Sequence, residues 1–92
     1  MNERATLRRY LRTFEKLVET QRNRFEAAKE NLTFTQAAVA ESKKAPKTAK
    51  QLRELDNAIN NSLKIARDTF EGLQDLRDDL QILRKKLSSL SD

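Results

Sequence analysis

Three aspartates, Asp75, Asp78 and Asp79, are the nearest thing in this chain to a cluster of reactive side chains. Carboxylates so closely spaced could offer oxygen ligands to Ca²⁺ or Mg²⁺. No turn glycine sits among them, however, and on a helix they point in different directions, so a solvated face is the better reading. Histidine and cysteine are absent, which removes the commonest general base and a strong nucleophile. A single glycine cannot build a phosphate-cradling loop. The expectation is a protein that is not an enzyme and takes no metal or cofactor.

The elements that carry these residues are set by a seven-residue apolar rhythm. It runs through Leu7, Leu11, Phe14, Val18, Gln21, Phe25, Ala28, Leu32, Thr35 and Val39. It runs again through Leu52, Leu55, Ile59, Ser62, Ala66, Thr69, Leu73, Leu76, Leu80, Leu83, Leu87 and Leu90. Spacings of three and four alternate strictly, which is the a/d seam of a coiled-coil-like helix and not the period of a strand. No seam position is ionisable, so a carboxylate cage of the di-iron bundle kind is excluded.

Pro46 separates the two runs, and the residue before a proline is pushed out of the α region. The pattern predicts one all-α domain over residues 1–92, an antiparallel two-helix hairpin. Helix 1 should span about 3–44 with Asn2 or Glu3 at its start, the turn about 45–48, and helix 2 about 48–90. Either Pro46 occupies the first helical position of helix 2, or Thr48 caps it with Gln51 in a capping box. Pairing residues whose numbers add to 94 sets Leu7 against Leu87, Val18 against Leu76 and Ala28 against Ala66. The same register centres the turn beside Pro46.

Other readings follow from composition. The chain has 92 residues, 36% of them charged, and no Cys, so it carries no disulfide or thiolate zinc site. Its apolar runs fall far short of the roughly 20 residues of a membrane span. Its start lacks the apolar core of a signal peptide. The expectation is a mature, soluble, cytoplasmic protein. A two-helix rod has no interior, and small scaffolds without a staple usually need a partner.

Apolar residues beyond the seam mark where such a partner would bind. Tyr10 and Leu17 flank the first stripe at g positions, and Leu63 and Phe70 flank the second at e positions. Together they widen the stripe toward the face of a helix in a larger bundle. Ile65 flanks the other side of the second stripe, and Phe34 and Ile82 lie at c positions. Gly72 costs about 1 kcal/mol against alanine within a helix, which either tolerated drift or close approach of another helix would explain. The partner-binding set is therefore Tyr10, Leu17, Leu63, Phe70 and Gly72. The plainer account is that these side chains lie over the hairpin's own groove.

The net charge is +5. Lys43, Lys44, Arg84, Lys85 and Lys86 suit the negative ends of helix dipoles. Arg4, Arg8, Arg9 and Arg12 open the first helix, and Lys47 and Lys50 the second, where cations are mildly unfavourable. An anionic partner would explain them. Nucleic acid is the weaker choice, because acids are interleaved and stacking aromatics are few.

Two equal helices with a mid-chain turn resemble the small WXG-type proteins of type VII secretion. They resemble still more the helical partners that escort LXG toxins to that machine. The turn here is Lys43-Lys44-Ala45-Pro46-Lys47, with no Trp-x-Gly, and Phe70 is followed four residues on by Gln74, not by the acid of the family's export signal. The resemblance implies a chaperone or targeting partner, co-secreted with its cargo or left in the cytoplasm. The competing expectation is a homodimeric four-helix bundle whose basic ends bind an anionic polymer.

Overall fold

The computed structural model describes residues 2–90. Helix α1 spans Glu3–Ser42 and helix α2 spans Ala49–Ser89. They lie antiparallel as a coiled-coil-like hairpin, a rod of 69 × 16 × 15 Å. The fold class is the one the heptad rhythm specifies.

Local chemistry sets the ends. Asn2 Oδ1 accepts from the Ala5 amide at 3.0 Å, capping α1. The last turn of α1 tightens after Ser42. The Lys44 amide donates to Glu41 and the Ala45 amide to Ser42, a three-residue reach that stops the helix two residues short of the expected Lys44. Pro46 lies in the connection and not in the first turn of α2. Instead Thr48 caps α2. Its hydroxyl accepts from the Gln51 amide at 3.1 Å, and the Gln51 side chain accepts from the Thr48 amide at 2.9 Å.

Every seam residue of α1 is buried or half-buried, and so is the α2 seam except at its two ends. Leu73, 1% exposed, packs with Val18 and Leu80, and Leu11, Phe14, Phe25 and Leu76 surround them. Leu52 and Leu90 stay more than a third exposed. In the 94 register, Leu52 meets only the short Ser42. Leu90 meets Arg4, whose guanidinium donates to the Leu90 carbonyl.

Two polar layers interrupt the apolar seam. Near mid-rod, Gln21 Nε2 donates to the Thr69 carbonyl at 3.0 Å. Nearer the turn, the Ser62 hydroxyl donates to Thr35 Oγ1 at 3.2 Å, and Asn31 reaches Ser62 at 3.5 Å. No buried side-chain polar atom among the described residues is left without a partner. Such layers cost stability but specify register, since sliding either helix would strand each group among leucines.

Gly72 belongs to the first layer. A Cβ there would stand 2.8 Å from Gln21 Nε2, so the missing side chain makes room for the amide that reaches Thr69. Gly72→Ala should therefore change unfolding free energy by less than about 0.5 kcal/mol, its helix-propensity gain of about 1 kcal/mol being offset by the displaced hydrogen bond. With Gln21→Ala already in place, the same change should stabilise by about 1 kcal/mol. Urea titrations of the four proteins measure the coupling. Equal effects of Gly72→Ala in both backgrounds would show that Gln21 is not what the glycine accommodates.

Candidate functional site

The hairpin is a ribbon with two broad sides, and the contacts across the seam identify them. Arg84 pairs with Glu15 at 3.6 Å and Lys43 with Asp56 at 3.4 Å, all four at e positions. The e positions of both helices therefore share one side. Gly72, a g position, meets Gln21 toward the other side, where the g positions lie.

This sidedness divides the expected partner-binding set. Leu63 and Phe70 stand on the e side, each 41% exposed. Tyr10 and Leu17, 53% and 44% exposed, stand on the g side with Ile65. Gly72 is half-buried there. The ribbon therefore does not bring the five residues together into one surface. Sequence spacing alone gave matched distances from each stripe, but only the antiparallel pairing decides which flank meets which.

On the e side, Phe70 is partly used by the hairpin itself. Its ring lies 5.2 Å from that of Phe25, tilted by 51°. Lys29 Nζ sits 5.0 Å above the Phe25 ring and also pairs with Glu26 at 3.2 Å. Leu63 stands one heptad from Phe70 along the same row. In the other direction the row continues to Arg77 and Arg84. A shallow hollow there is lined by Glu15, Glu19, Arg22, Arg77 and Arg84 above Val18 and Leu80. Arg84 is held by Glu15, while Arg22 and Arg77 form no ion pair. With Arg8, Arg12 and Arg67 at neighbouring e and b positions, this side is predominantly basic. Heptad position, and not nearness to a helix end, is the signal that would have found it.

The cations expected to meet an anionic partner are dispersed. Arg4 is half-buried and occupied with the carbonyl of Leu90, which caps the C-terminus of α2, a favourable place for a cation at the negative end of that helix. Arg8 and Arg12 lie exposed on the basic side, and Arg9 on the outer edge. Lys47 is half-buried at the turn beside Ser42, Gln51, Glu54 and Leu55, and Lys50 is exposed near it. The arginines and these lysines therefore occupy opposite ends of a 69 Å rod and cannot form one site. Among the described residues, no three His, Cys, Asp or Glu come together to hold a metal ion. None of the described helices is long and apolar enough to cross a membrane.

No protein-family model matches the chain, and neither a curated protein nor a solved structure does.

The Phe25–Phe70 contact has a measurable consequence. Phe70→Ser should cost about 2 kcal/mol of unfolding free energy, through lost burial and a ring pair contributing about 0.5–1.5 kcal/mol. Phe34, 73% exposed, should tolerate the same change for less than about 0.5 kcal/mol. Similar costs at the two positions, in denaturant melts followed by circular dichroism, would remove Phe70 from the hairpin's own packing.

Proposed function

We propose that the chain is a non-enzymatic helix-binding protein, a small chaperone or targeting partner that packs on helices of another protein. The observation that carries this reading is the row on the e side, where Leu63 and Phe70 stand a heptad apart and lead into Arg77, which with Arg22 across the seam forms no ion pair. Apolar groups repeating at that spacing suit the anchor residues of one face of an incoming helix. Arg22 and Arg77 favour carboxylates along the same helix.

The surface area supports the need for a companion. The chain exposes 7170 Å², whereas a folded monomer of its mass would expose about 5,500 Å². The excess, roughly 1,700 Å², is about twice what each partner contributes to a standard interface. The resemblance to type VII escorts adds a cargo class, the helical domain of a secreted toxin. Without Trp-x-Gly or a matching export signal, this chain would cover helices of its cargo and rely on the cargo for targeting.

A photo-crosslinking residue at Leu63, used in the source cells, tests this. Adducts should concentrate on helical segments of one other protein. Labelling no more selective than from the outer-edge position Lys64 would sink the reading. A second reading, nucleic acid or another anionic polymer bound along the same side, is favoured by its excess of basic over acidic residues. Salt separates the two. Helix packing should weaken less than about threefold between roughly 50 and 200 mM salt, whereas a polymer held at several phosphates would lose orders of magnitude.

A further inference from the structure

The ion pairs of the e side define rungs across the seam. Glu15 with Arg84, and Lys43 with Asp56, are e residues whose numbers add to 99. The same register sets Gln36 beside Leu63, Lys29 beside Phe70 and Arg22 beside Arg77. Among the described residues, the Arg22–Arg77 rung is the one that brings two like charges together. Both side chains line the hollow above Val18 and Leu80, and neither forms an ion pair. Arg77 has no acid three or four residues away on its own helix, where Leu73, Gln74, Leu80 and Gln81 stand. Arg22 has Glu19 and Glu26 at those distances, but Glu26 is held by Lys29.

Two cations therefore repel each other at a position where the rungs at Glu15 and Lys43 hold opposite charges. We infer that Arg22 and Arg77 together receive one carboxylate of the partner helix, a conclusion that rests on the helix-binding function proposed above and specifies its partner. Rungs recur every seven residues, about 10.5 Å along the rod. A helix with apolar residues over the Leu63 and Phe70 rungs reaches the Arg22–Arg77 rung one heptad farther on. The partner segment thus reads apolar, apolar, acidic at successive steps of seven, in either chain direction. Its carboxylate accepts from both guanidiniums, which removes their repulsion as the helix docks. The rung beyond asks for no charge, because Glu15 and Arg84 already satisfy each other.

A string of phosphates fits this place less well. Past the rung it would run over Glu15 and Glu19, which line the same hollow, and in the other direction over Glu26. A single negative group meets two arginines and avoids those acids.

Arg77→Glu in the full chain tests the inference. The new carboxylate would pair with Arg22 as Glu15 does with Arg84, so the free hairpin should become more stable. Its urea midpoint should rise by roughly 0.2–0.5 M. Adducts from a photo-crosslinking residue at Leu63, formed in the source cells, should meanwhile fall at least about tenfold. Arg53→Glu, an equal charge change on the same side but away from the rung, should leave them within about twofold. Mapped by mass spectrometry, the attached segment should carry Asp or Glu fourteen residues from its point of attachment. A lowered urea midpoint overturns the inference, as does an attached segment without that acid. Selective adducts that ignore Arg77→Glu, or that respond equally to Arg53→Glu, overturn it while leaving the helix-binding function standing. Adducts on nucleic acid, or none that are selective, overturn both.

Discussion

A single seam holds this molecule together. Two helices of 40 and 41 residues touch along one stripe each, and among the described residues no third element covers what that stripe leaves uncovered. Burial is consequently rare and sits on the midline, at Leu7, Val18, Val39, Leu73 and Leu80 with smaller residues at Ala28, Ser62 and Ala66. Everything one position off the midline is partly wet. In a larger domain, exposed Tyr10 or Leu63 would be unremarkable. Here such residues are a consequence of geometry, because a ribbon one helix thick cannot hide them.

The same constraint explains the polar layers. A uniformly leucine seam would bind well in several registers, since every heptad step would look alike. Gln21 with Thr69, and Ser62 with Thr35 and Asn31, make one alignment distinguishable from its neighbours. Gly72 is the accommodation this requires, a gap in α2 filled by a side chain from α1. Stability is traded for uniqueness at two heights along the rod, and the apolar layers between them supply the attraction.

Much of this was legible in the amino-acid order. Strict three–four spacing and one proline suffice for two antiparallel helices, and the capping pattern at Thr48–Gln51 is written in the chain. Less legible was whatever depends on two helices at once. The end of α1 came earlier than Pro46 alone suggests, because the last turn tightens. A helix-interior glycine reads equally as room for an outside helix, and only the folded hairpin shows Gln21 occupying the space at Gly72. Tyr10 and Phe70 are equivalent in sequence, each lying beside its own stripe, yet antiparallel pairing sends them to opposite sides. The basic side was hidden likewise. Arg22 and Arg77 are far apart in sequence and neighbours only once the hairpin closes.

The clasp between Arg4 and the Leu90 carbonyl gives the rod a polarity that its near-equal helices conceal. At one extremity the strands are joined covalently through residues 43–48. At the other, among the described residues, the Arg4 guanidinium bridges them. Thermal breathing should therefore start at the clasped extremity and travel toward the loop, like a zipper opening from its free teeth. Anything fused to either terminus would pull on that clasp first.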